Sequence, residues 1–185
     1  SVILILVMML PVVPVSAAVY ITVNGSTGIL YGPTGATLHI QGTGFSSNST
    51  AFSVTFGTAS PYIANLGSSN MLVGGSFSAY IAVPTFPRNT YNITVTVTGS
   101  SVTTQTAIAQ FTIIPNISIN KTSGNVGDKF TISGTGFAAS STVSGYFDNT
   151  VFSNTATTNT YGTLSALDVI VPETYKGNHA VKAVD

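Results

Sequence analysis

Two histidines, His39 and His179, and five carboxylates, Asp128, Asp148, Asp168, Glu173 and Asp185, are the side chains of this 185-residue chain best suited to acid–base work. Such work needs two groups converging on one bond, and in sequence these acids are scattered, with no adjacent pair. Carboxylates distant in sequence remain free to meet in space. No G-x-S-x-G elbow, P-loop or HExxH motif is present. Cysteine is absent, which removes thiolate nucleophiles, disulfides and thiolate metal sites. Asp128 or Asp148 would offer calcium one carboxylate per loop, where that ion takes six to eight oxygens. His39 falls inside a strand-like run and reads as a satisfied or exposed strand residue. These residues point to a protein that is not an enzyme, with no cofactor, no metal and no catalytic residue.

Two covalent chemistries fit the residue types better. Asn24, Asn48, Asn92, Asn116 and Asn120 each open an N-x-S/T sequon and are candidate glycosylation sites. With 13 Asn and 50 Ser+Thr, chance alone gives roughly 3.5 sequons, so the motif count decides little by itself. A Lys–Asn isopeptide crosslink would draw on Lys121, Lys129, Lys176 or Lys182, which also read as ordinary exposed lysines. The tyrosines Tyr20, Tyr31, Tyr62, Tyr80, Tyr91, Tyr146, Tyr161 and Tyr175 could stack on sugars, or sit in strands with a wet hydroxyl.

Composition narrows the partners. Charged residues make up 5% of the chain, and none precedes Arg88. Five Lys+Arg cannot form the basic patch that nucleic acid requires. Zero formal net charge removes repulsion between copies and favours assembly. Attached sugars would supply solubility in place of charge. An apolar content of 44% argues against disorder.

The elements are short. Tyr20–Val23, Thr37–Ile40 and Ile93–Val97 are rich in β-branched residues, and Gly, Ser, Asn and Pro clusters separate them. No helical period stands out. The pattern predicts an all-β chain of sandwich type. Gly35–Phe45 (GATLHIQGTGF) matches Gly127–Phe137 (GDKFTISGTGF) at an offset of 92. Gly75–Ala79 then matches Gly162–Ala166, and Val83-Pro84 matches Val171-Pro172. Three matched blocks in one order predict two copies of a domain, over residues 18–114 and 115–185. In GTGF the glycines permit a positive-φ turn, and Phe45 and Phe137 turn inward as core plugs.

This order of strand, GTGF, GxxSA and VP turn resembles the IPT/TIG-like immunoglobulin-fold repeats of bacterial and archaeal cell-surface proteins. The resemblance covers about residues 19–185. It implies two tandem immunoglobulin-like β-sandwiches and an extracellular, secreted setting. It carries no catalytic residues, and such modules serve as spacers, adhesins and filament or lattice subunits alike.

Two features lie outside the repeat. The second copy has no counterpart of Gln110–Ile114, so its sandwich is expected to lack the last strand. Residues 1–17 form an uncharged apolar segment. That segment reads as a signal-peptide core, as a membrane helix broken by Pro11 and Pro14, or as an extended strand. One mechanism joins both features. A donor strand built from Val2, Ile3, Leu4, Ile5, Leu6, Val7, Met8, Met9 and Leu10 would insert into the open sandwich of a neighbour. Such a contact is head-to-tail and gives a homopolymer resembling a pilus, an archaeal donor-strand filament or a surface layer. The inward set is Val2, Leu4, Leu6, Met8 or Ile3, Ile5, Val7, Met9. The alternative is a modular adhesin or carbohydrate-binding protein with a cleaved signal peptide and a clipped final domain, whose partners are cell-surface glycans. Contact with a membrane is then transient or through the N-terminal segment.

Overall fold

The computed structural model describes residues 19–46, 51–57, 71–72, 74–99 and 102–185. The apolar segment of residues 1–17 lies outside them. Every regular element among the described residues is a strand.

Alternation of apolar and polar residues sets the layers. In β3 (Thr37–Thr43) Leu38, Ile40 and Gly42 are buried, and Thr37, His39 and Gln41 beside them are more exposed. That period of two is the signature of a strand with one face on a core. One sheet orders the strands β1 (Tyr20–Val23), β3, β6 (Ser76–Ala82) and β5 (Met71–Leu72). The facing sheet orders β2 (Leu30–Gly32), β8 (Val102–Ile113), β7 (Thr90–Gly99) and β4 (Ala51–Phe56). Between them lies a core that includes Ile40, Phe56, Phe77, Val95 and Phe111.

A second pair of sheets follows. One orders β13 (Leu164–Ile170), β10 (Lys129–Thr135) and β9 (Asn116–Ile119); the other orders β12 (Thr150–Thr157), β11 (Thr142–Phe147) and β14 (Val181–Val184). Their core gathers Phe130, Ile132, Phe137, Val143, Leu164 and Leu167. The architecture is all-β, with two sandwiches of immunoglobulin-like type, and the second carries no strand beyond β14 among the described residues.

The repeated sequence blocks meet in space. Phe45 and Phe137 are buried in their respective cores. The N–H of Phe45 donates to the Gly75 carbonyl, and that of Phe137 to the Gly162 carbonyl, both at 3.1 Å. A Cβ on Gly75 or Gly162 would collide with the carbonyl of that same phenylalanine. The GTGF and GxxSA blocks therefore recur together because each needs the other's backbone at contact distance.

The sandwiches join end to end. Only Ile114 and Pro115 separate β8 from β9. The Arg88 N–H donates to the Phe137 carbonyl at 2.9 Å, and the Thr34 and Thr135 hydroxyls meet at 2.6 Å. Asp185, 2% exposed at its side chain, accepts from the Ala138 N–H and pairs with the Arg88 guanidinium at 3.2 Å. A buried carboxylate needs such partners, because desolvation without them is costly.

Candidate functional site

The two sandwiches differ most at the edge strand that follows the VP turn. In the first, β7 is covered along its length by β8, in a ladder from Thr90↔Thr112 to Gly99↔Val102. Strand β8 turns Ala107, Ala109, Phe111 and Ile113 into the core. Strand β2 adds a short parallel pairing, Leu30↔Phe111 to Gly32↔Ile113. In the second sandwich β14 takes the place of β7. Phe147 pairs with Val181 as Phe56 pairs with Ile93. The far edge of β14 has no partner among the described residues.

Burial registers the difference. Ile93 and Val95 are each 0% exposed. Their counterparts Val181 and Ala183 are only half-buried. At the Val181 end lies a groove of about 820 Å³, where Ile119, Phe130, Phe147 and Val181 meet polar and charged residues such as Asp128 and Lys129. In the first sandwich the Phe111 ring fills this region against Phe56, at 5.9 Å between centroids. The other edge of the same sheet, β12, is polar (TVFSNTAT), as expected of an edge that faces water.

One histidine frames the groove. Tyr91, at the start of β7, donates its hydroxyl to the Pro87 carbonyl at 2.8 Å and packs on Phe56 and Phe86. Burial raises its pKa. Carrying the 88-residue offset of the VP blocks onward, Tyr91 falls on His179 and Pro87 on Tyr175. His179 makes the same backward contact, Nε2 to the Tyr175 carbonyl at 2.9 Å, and packs on Phe147. Its Nδ1 lies 2.7 Å from Asp148 Oδ2. Both ring nitrogens face acceptors, which suits the imidazolium. The Asp148 bond, then the Tyr175 carbonyl, raise the His179 pKa above its usual value. The bonds from His179 and from the Ala180 N–H hold Asp148 below the usual carboxylate range. Sequence spacing did not pair His179 with Asp148. The 88-residue offset was the available signal for His179, since it places a histidine where the first copy has its corner tyrosine.

The other candidate residues are dispersed. The donor residues Val2–Leu10 and the sequon at Asn48 lie outside the described residues. Asn24, Asn92, Asn116 and Asn120 are exposed. Two of these also hold the fold. Asn24 Oδ1 accepts the His39 N–H and Asn120 Oδ1 accepts the Thr131 N–H, both at 2.8 Å, so each side chain prolongs a strand pairing by one bond. His39 stacks on Tyr80 and lies 2.7 Å from the Ser78 hydroxyl. Tyr20, Tyr31, Tyr80, Tyr161 and Tyr175 are exposed on separate elements, and Tyr62 lies outside the described residues. The four lysines of the second sandwich are exposed. Asp128 accepts the Asn125 N–H, and no group of three metal-binding side chains converges among the described residues. No helix among them is long and apolar enough to cross a membrane.

Fold and repeat together define an immunoglobulin-like β-sandwich protein. Residues 26–113 match the IPT/TIG domain family. That span runs from the loop after β1 to the end of β8, which is the first sandwich apart from β1. Domains of this type commonly occur in extracellular and surface proteins. Among solved structures, the crystal structure of murine CEACAM1b aligns with 84% of this chain and 86% of its own, at 14% identity and a TM-score of 0.32. No curated protein matches the sequence.

Proposed function

We propose that this protein is a structural protomer of an extracellular filament or surface layer. It polymerises head to tail when the N-terminal apolar strand of one copy, with Val2–Leu10 as donor residues, enters the open second sandwich of the next. The observation that carries this reading is the half-burial of Val181 and Ala183 on β14, whose far edge has no partner among the described residues, where Ile93 and Val95 are fully covered. A strand offering about four or five apolar side chains would gain on the order of 10 kcal/mol before ordering costs. Absence of charge before Arg88 suits a segment that must enter a core. N-linked sugars at the exposed sequons would face solvent in place of ionised side chains, and intact-mass spectrometry of native material tests that part.

Negative-stain microscopy of the full chain and of a variant lacking residues 1–16 tests the polymer. Filaments or sheets are expected from the full chain alone. Assembly that survives the deletion would put another strand in the groove and overturn the reading.

A further inference from the structure

We propose that Asn24 and Asn120 carry N-linked sugar, one at the same place on each sandwich, added after the sandwiches have folded, and that Asn92 and Asn116 are left bare. This rests on the sugar reading above and adds which sequons take part and what sets them apart.

The two asparagines are equivalent in the fold. Strands β1 and β9 hold the same place in their sandwiches. Tyr20 pairs with Thr43 as Asn116 pairs with Thr135, and Val23 with Ile40 as Ile119 with Ile132. Asn24 and Asn120 are the next residues, just past the strand ends. Each Oδ1 accepts a strand N–H at 2.8 Å, from His39 or from Thr131. An amide group is planar, so this bond also fixes the direction of Nδ2. Neither Nδ2 has a hydrogen-bond partner among the described residues. The nitrogen that a sugar would join is thus held in place and unoccupied, on an exposed residue.

Beyond each asparagine the chain leaves the sheets. Asn24 and Gly25 have φ of +49° and +77° and form the tip of a two-residue turn closed by Val23 and Ser26. After Asn120, residues 121–127 are all exposed and belong to no strand. Ser26 and Thr122 supply the hydroxyl that a sequon needs two residues on. A transferase must draw these three residues into its own site, which surface loops permit.

The other two described sequons are held in ladders. Residues 92–94 lie wholly within β7, and residues 116–118 wholly within β9. Asn92 faces Gln110 of β8 on one side, and on the other its carbonyl accepts the Gly57 N–H at 2.8 Å. Asn116 and Ser118 face Thr135 and Ser133 of β10. Drawing either sequon out of a folded sandwich would break backbone bonds that the sheet supplies.

The reaction is a transfer from a glycosyl phosphate donor. Nδ2 forms a bond to the sugar C1 as the C1–O bond to phosphate breaks, with that electron pair leaving on the phosphate oxygen. One Nδ2 proton passes to a base of the transferring enzyme, and nothing is oxidised or reduced.

Glycopeptide mass spectrometry of native full-length material reads each sequon separately. Sugar is expected on Asn24 and Asn120, with Asn92 and Asn116 unmodified. Sugar on Asn92 or Asn116 overturns the assignment. So does a bare Asn24 or Asn120 in material that carries sugar at another sequon. Material with no sugar at any sequon overturns the sugar reading itself. Thr122→Ala, made in the cells that produce the protein, removes the sequon hydroxyl and keeps the Asn120–Thr131 bond. Its intact mass should fall by one glycan beyond the side-chain difference, and a fall of the side-chain difference alone overturns the site at Asn120.

Discussion

Ile93 and Val181 allow one perturbation to be made twice, in two environments. Each sits opposite a core phenylalanine, Phe56 or Phe147. Ile93 is 0% exposed, enclosed by β4 on one side and β8 on the other. Truncation of a fully buried Ile to Ala costs about 2–5 kcal/mol, as lost transfer energy plus the cavity left behind. Val181 is half-buried and opens on the groove. Two methyls in that setting are worth about 0.5–1 kcal/mol, since full burial of Val gives about 1.5 kcal/mol and little cavity forms beside an open groove. Urea unfolding of each variant, followed by circular dichroism on unassembled protein, measures both costs. The two sandwiches differ in core size, so two transitions are expected, with Ile93→Ala shifting one and Val181→Ala barely moving the other. In assembled material Val181→Ala should cost about 1.5–2.5 kcal/mol, because an inserted strand completes the burial. An equally large loss from Val181→Ala in the unassembled chain would show that the groove is already filled, and would refute the reasoning.

Three further outcomes follow from the geometry. The His179–Asp148 pair makes the second sandwich pH-sensitive. His179 has a raised folded pKa, so its contribution is complete below about 6.5 and fades as pH climbs through the raised value. Asp148 has a lowered pKa, so its contribution is present above about 3.9 and fades on acidification through the lowered value. Thermal melts should therefore peak between these limits, and His179→Tyr, which installs the corner residue of the first sandwich, should remove the alkaline decline. Gly162→Ala should destabilise by more than about 2 kcal/mol, because φ is +69° and the new Cβ meets the Phe137 carbonyl. Gly25→Ala, at φ +77° in open space, should cost about 1 kcal/mol in the same denaturation assay. Thr158 is buried, donates to the Ala138 carbonyl at 2.7 Å and accepts the Ser141 N–H at 2.9 Å. Thr158→Val strands both groups and should cost about 1–3 kcal/mol by calorimetry, whereas Thr158→Ser should cost less.

Some of this was open to reading in the chain. Alternation in TLHIQGT and KFTISGT marked β3 and β10, because a period of two is a local property of a half-buried strand. Phe45 and Phe137 were legible as core plugs, since they follow a turn that only glycine permits easily, with φ +81° at Gly44 and +76° at Gly136. The candidate site was less legible. Asn24 and Asn120 looked like glycosylation signals alone, and their bonds to His39 and Thr131 became visible only once β1 lay beside β3 and β9 beside β10. Asp148 and His179 are 31 residues apart, and their meeting depends on β11 pairing with β14.

The sequence by itself determined the strands, the sandwich class, the repeat and the scarcity of charge. Those follow from local periodicity, turn chemistry and composition, which need no partner. Only the tertiary structure decided which side chains converge and which surfaces stay uncovered. It placed a histidine in the corner held by Tyr91 and left the Thr43 hydroxyl buried without a bond. It also left Val181 and Ala183 half-exposed where Ile93 and Val95 are sealed. Burial is a property of what lies across the sheet, and for β14 no strand among the described residues lies there.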